Sequence, residues 1–288
     1  MKAVFRHELS SYFTGLTGYV FGAFILLFTG IYAVAYNVSN ALANFEYALG
    51  SMTFVFLIIV PILTMRVLAE EKRQKTDQLL YSLPLTMTQV ILGKYAALLV
   101  ILLIPVGIIC FYPVLLSAFG NVYLPTAFGA LSGFFLLGAA LLAIGMFISS
   151  VTESQPVAAG LCFVVMLLNY FLTSLAEFVP ATAFASYGAF AILLLVLWGI
   201  LYLMTKNSFL SLILCAVTEG GLLLFYVFST TSFENLFPEL MSNLSLFQQF
   251  YIFIDGVFDL TAVVYILSVI VLFLYLTVQS MEKRRWSE

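Results

Sequence analysis

The sequence predicts an all-α, polytopic integral membrane protein, and three observations carry that prediction. Sixty-three per cent of the 288 residues are hydrophobic and nine per cent charged, at a mean hydropathy of +1.12. A soluble fold of this size needs a far larger charged surface. Eight apolar runs reach the length of about 20 residues that a helix needs to cross the hydrocarbon: 17–37, 51–68, 88–116, 126–149, 156–175, 187–205, 208–229 and 260–280. With those runs as spans, all eleven Lys and Arg residues fall on one side.

That asymmetry sets the orientation. With the N-terminus inside, the cytosolic stretches hold Lys2 and Arg6, Arg66 to Lys75 with Lys94, Lys206, and Lys283 to Arg285. The opposite connections hold only acids: Glu46, Glu177, Glu234, Glu239, Asp255 and Asp259. A positive-inside bias this complete predicts both termini cytosolic and an even span count. Six spans is the alternative, fusing or demoting the pair around Lys206, whose only hydropathy break is Thr205-Lys206-Asn207-Ser208. Residues 1–288 are read as a single transmembrane domain. Ala33-Val34-Ala35 has the form of a signal-peptidase site, but the run before it is long and aromatic, so a retained first span is expected.

Along the chain, residues 1–13 predict a short amphipathic helix in the cytosolic interface, with Phe5, Leu9, Tyr12 and Phe13 on one face. His7 lacks the second histidine of H-E-x-x-H and is read as interfacial. Gly18-x-x-x-Gly22 and Gly129-x-x-x-Gly133 permit close helix packing, and Pro61, Pro105 and Pro156 are expected to kink or start helices. Cys110, Cys162 and Cys215 each sit inside an apolar run, without redox or metal spacing, and read as buried thiols. Glu219, mid-span and followed by Gly220-Gly221, is an expensive carboxylate at that depth and a candidate for a translocation path. Asn169 in the fifth span is placed with it. The glycine pair is expected to allow local unwinding. The outer segment 230–259 places Phe233, Phe237, Leu240, Leu244, Phe247 and Tyr251 at helical spacing, as one amphipathic stretch.

The most polar part is 66–89, RVLAEEKRQKTDQLLYSLPLTMTQ, with seven of the twenty-five charged residues. Glu70 to Lys75 is expected to extend the second helix into the cytosol, with Glu71 and Lys75 as an i, i+4 pair. Thr76 is a candidate N-cap with Asp77 near the positive end of a new short helix. That helix presents Leu79, Leu80 and Leu83 and stops before Pro84. Thr86-x-x-Gln89 has the capping-box form and starts the third span. Residues 69–86 thus form a cytosolic region with a leucine ridge and a basic rim. Such a ridge suits a groove on a cytosolic partner.

The string Glu70-Glu71-Lys72-Arg73-x-x-Thr76-x-x-Leu79-Leu80-x-x-Leu83-Pro84, followed by Gly93-Lys94-Tyr95, resembles the coupling region of type-two ABC transporter permeases. Glu8-Leu9-x-x-Tyr12-Phe13, Phe253 to Asp259, Val264-Tyr265 and Arg284-Arg285-Trp286 are similar to the gliding-motility-type branch. The pattern departs at Asp77-Gln78, where a glutamate nearer the leucines is expected. The resemblance implies the membrane half of an ABC exporter in a bacterial inner membrane. It would pair with a second permease, identical or not, and its coupling residues (Glu70 to Arg73, Thr76, Asp77, Leu79, Leu80, Leu83 and Pro84) would dock separate ATPase subunits. ATP and magnesium would be bound by those partners, with no cofactor on this chain. Membrane lipids are its other contact, and no nucleic acid is implied. The residues themselves agree: Gly93-Lys94 lacks a glycine five positions earlier, so there is no phosphate loop, and one histidine builds no catalytic triad. A secondary transporter would want more intramembrane ionisable groups and a visible inverted repeat. A membrane scaffold for an assembly or motility machine fits the scarcity of polar residues in the spans.

Overall fold

The computed structural model describes the backbone of residues 1–75, 86–205 and 208–287, whose regular elements are all helices, with no strand among them. The chain opens with α1 (Lys2–Thr14), α2 (Thr17–Ala33, ending in a π-helical turn Val34–Ser39), α3 (Glu46–Thr64) and α4 (Ala69–Gln74). After the interval come α5 (Met87–Ile109), α6 (Phe111–Ser117), α7 (Leu124–Val151), α8 (Gln155–Glu177), α9 (Ala183–Thr205) and α10 (Ser208–Phe228). A 3-10 turn (Thr230–Phe233) leads to α11 (Leu236–Leu244), α12 (Leu246–Ile254) and α13 (Leu260–Ser287). Two compact units result, residues 1–168 with 249–288, and residues 169–248.

In the first unit α7 is the central helix, packed against α3, α5 and α13, while α1 lies on α5 and α2. Three glycines let neighbours reach its axis. A Cβ at Gly133 would stand 2.8 Å from Phe253 Cγ, at Gly138 2.8 Å from Leu102 Cδ2, and at Gly145 2.8 Å from Thr64 Cβ. The two expected G-x-x-x-G patterns work as single positions: Gly18 and Gly133 are close approaches, whereas Gly22 and Gly129 face open space. Thr86 caps α5 as expected, accepting from Gln89 N at 3.3 Å. Pro61 and Pro105 lie inside α3 and α5, and Pro156 occupies the first turn of α8.

Among the described residues, six helices are long and apolar enough to cross a membrane: Thr17–Ser39, Glu46–Gln74, Met87–Ser117, Leu124–Val151, Gln155–Glu177 and Leu260–Arg284. A seventh arises if Ile213–Phe228 and Thr230–Leu244, bent by 113°, form one broken span. The protein is therefore a multi-pass membrane protein with about six to seven candidate spans. The two apolar runs around Lys206 are both helical, as α9 and α10.

Three expectations change. The second span does not run on smoothly through Lys75: α3 stops at Thr64 and the chain turns before α4 begins at Ala69. The cause is Ser149 on α7, whose Oγ accepts from Leu68 N at 3.1 Å and Ala69 N at 3.0 Å and donates to Met65 O at 3.3 Å. In the second unit α9 and α10 form an antiparallel pair, with Tyr187 against Tyr226 (centroids 4.9 Å apart) and Trp198 Nε1 donating to Thr218 Oγ1 at 2.9 Å. The segment that follows is broken rather than continuous. Asn235 adopts φ +61° before α11, and extended Ser245 separates α11 from α12. Its Oγ caps α12 by accepting from Gln248 N at 3.2 Å. α10 runs unbroken through Gly220-Gly221, so no unwinding occurs there; both glycines face open space and the helix ends at Phe228.

Candidate functional site

The helices on either side of the polar segment, α4 before it and α5 after it, converge on Lys94. Gly93 permits this. A Cβ there would lie 3.2 Å from Val4 Cβ, so the missing side chain lets α1 settle on α5. Lys94 then points into the junction with its side chain 1% exposed. Its Nζ donates to Glu71 Oε1 on α4 at 2.5 Å, Glu8 Oε1 on α1 at 2.6 Å and Val67 O at 3.4 Å. An ammonium has three protons, and all three are placed. Tyr95 next to it donates to Ala139 O on α7 at 3.0 Å. Gly93-Lys94-Tyr95 thus ties one point of α5 to α1, α4 and α7. On α1 the neighbouring Tyr12 is buried, and burial, reinforced by the Glu8 carboxylate, raises its phenol above the ordinary range.

A second set of contacts closes the same end. Lys72 Nζ donates to Ser150 O at the end of α7, and Ser280 Oγ on α13 donates to the same carbonyl at 3.2 Å. Arg284 pairs with Glu153 at 2.7 Å. Arg66 pairs with Glu70 at 2.9 Å and donates to Thr17 Oγ1 at 3.3 Å.

The sequence-predicted docking residues therefore divide. Glu71 faces inward, to Lys94, whereas Glu70 pairs with the exposed Arg66 at the surface. Glu71, expected to pair with Lys75, gives its Oε1 to Lys94, and Lys75 leaves the helix with φ +57°. Of the basic docking candidates, Lys72 is buried against α7 while Arg73 is exposed. Thr76, Asp77, Leu79, Leu80, Leu83 and Pro84 lie outside the described residues. Of the path candidates, Asn169 spends its side chain on structure. Its Nδ2 donates to Leu244 O at 3.3 Å, its Oδ1 accepts from Leu246 N at 3.0 Å, and its carbonyl accepts from Ser245 Oγ at 3.1 Å. It splints the α11–α12 break. Glu219 is half-buried on α10, with Oε1 shielded from solvent and without a hydrogen-bond partner among the described residues.

Glu8, Ser149 and Ser150 were not anticipated as parts of this junction. Glu8 was legible: it falls on the same wheel face as Phe5, Leu9 and Tyr12, where a carboxylate needs a partner. The two serines carry no such mark.

The arrangement has no reactive chemistry. It is a buried ion cluster that ties α1, α4 and α5 together. Residues 26–183 match the family described as ABC-2 family transporter protein. No curated protein matches the chain.

Proposed function

We propose that the chain, which belongs to the ABC-2 transporter family and is thereby a permease subunit, works in an exporter driven by separate cytosolic ATPase subunits. In this reading two permeases pair, the ATPases hold ATP and magnesium, and residues 76–84 dock on them through Leu79, Leu80 and Leu83. The observation that carries it is the Lys94 cluster. Both arms of the docking segment are anchored there, Glu71 before it and Lys94 after it, so a push on the loop reaches α1 and α5 at once. Eight spans with both termini cytosolic, in a bacterial inner membrane, complete the proposal on the strength of the basic-residue asymmetry. Membership of the gliding-motility-type branch rests on motifs at 8–13 and 253–286, outside the matched residues.

The test is copurification. Leu79→Asp with Leu83→Asp should leave the permease folded in the membrane but abolish ATPase association, since a carboxylate buried unpaired in a docking groove costs several kcal/mol. Unchanged copurification would make the segment an idle loop. A scaffold role, favoured by the few polar residues in the spans, predicts a bound ATPase whose hydrolysis moves nothing. Glu219→Gln separates the two further: a transport path through α10 predicts lowered transport with ATPase binding intact.

A further inference from the structure

At the end of α7 remote from Ser149 and Ser150, the first turns of that helix and the loop after α12 enclose a cavity of about 490 Å³. Its wall is largely aromatic and apolar: Tyr123, Phe128, Phe253, Val257 and Phe258, with the Thr126 and Ser132 hydroxyls as polar points. Gly256 makes the enclosure, with φ +81° and a Cβ position 3.2 Å from Thr126 Cγ2, so no side chain could bring the loop this close. Behind Thr126 stands Glu46, 3% exposed. Thr126 Oγ1 contacts Glu46 Oε1 at 2.6 Å and Tyr123 O at 2.8 Å, two acceptors for one hydroxyl proton. Glu46 Oε2 is buried and has no partner among the described residues.

The charge around this end has one sign. None of the eleven Lys and Arg residues lies between 95 and 205, and Asp255 and Asp259 flank the loop. We infer that this cavity binds an amphiphile carrying a protonated primary amine. The ammonium donates to the Thr126 hydroxyl, which the Glu46 carboxylate polarises, and the apolar part lies against the aromatic wall. Aromatic faces attract cations, and the volume falls in the range of small-molecule sites. The inference rests on one compact unit and is independent of any ATPase.

The experiment uses the purified full chain in nanodiscs of choline lipid and a diazirine-bearing long-chain primary amine, with labelled peptides mapped by mass spectrometry. Labelling is expected in 123–132 and 253–258. An unlabelled dodecylamine competitor should displace it about tenfold better than dodecanol, the difference between a charge-assisted and a neutral hydrogen bond. Glu46→Gln should erase that preference, and Ser132→Leu, which fills the cavity from an exposed position, should remove the labelling. Labelling that treats amine and alcohol alike, or that survives Ser132→Leu, overturns the inference. Replacing the choline lipid by ethanolamine lipid separates the sources of the amine: suppressed labelling assigns the site to an aminolipid, and undiminished labelling to a soluble amphiphile.

Discussion

An ammonium removed from water is stable only where its protons meet acceptors and its charge meets an opposite one, and Lys94 has both in Glu8, Glu71 and Val67 O. Breaking such a cluster from one side is worse than never having built it, because the remaining charges stay buried. Lys94→Ala is therefore expected to cost about 3–5 kcal/mol, seen as a clear fall in the denaturation midpoint of the purified protein. Combining Lys94→Met with Glu8→Gln and Glu71→Gln should recover most of it. An Ala variant that melts like the parent would show the cluster to be well hydrated. Ser149→Ala strands the N–H groups of Leu68 and Ala69, at about 1–3 kcal/mol for buried donors left unpaired. Its signature is local, as faster amide exchange over residues 65–75. Tyr12 adds a pH dependence. Its folded pKa lies above the unfolded value, so its contribution is present below about pH 10 and is lost as pH rises further. Exchange in α1 should accelerate in strong alkali, and Tyr12→Phe should abolish the effect.

Among the elements, α1 and most membrane helices were legible because their periodicity and length are strong signals. α1 was expected over 1–13 and spans Lys2–Thr14. The third and fourth spans lie within two residues of the expected bounds. Breaks were not legible, because they are made by distant partners: Ser149 ends α3 early, and Asn169 with Ser245 divides the outer amphipathic stretch. Hydropathy is blind to a hydrogen bond that arrives from another helix. The same blindness affects glycine patterns, where Gly145, outside any pattern, makes the tightest approach to α3. Gly145→Ala should destabilise by about 1–3 kcal/mol through overpacking. Gly22→Ala, in open space within α2, should be neutral or stabilising by about 0.5–1 kcal/mol. Equal effects of the two, measured as thermal midpoints in one detergent, would contradict the packing described for α7.

For the whole molecule the outstanding quantity is the path of the chain between α8 and α12, where the helices give six or seven candidate spans and the basic residues argue for eight. Single cysteines decide it. A cysteine at Asn121 or Ser242 should react with an impermeant reagent from outside, and one at Lys206 only after the membrane is opened. Reaction of the Lys206 position from outside would remove the eight-span arrangement and with it the one-sided distribution of the basic residues. The family was legible from the coupling string. The junction that gives that string its leverage was not, since it joins residues 8, 71 and 94 from three separate helices.

The Lys94 cluster also constrains how the protein is made. Glu8 and Glu71 leave the ribosome before Lys94, so both carboxylates are already in place when the third span arrives with its single cation. A lysine within a spanning helix resists insertion by about 2.5–3.5 kcal/mol near the helix centre, and less near the end where Lys94 lies. In the folded protein the pairs with Glu8 and Glu71 compensate the burial of that cation, so α5 keeps its lysine only where α1 and α4 are in place.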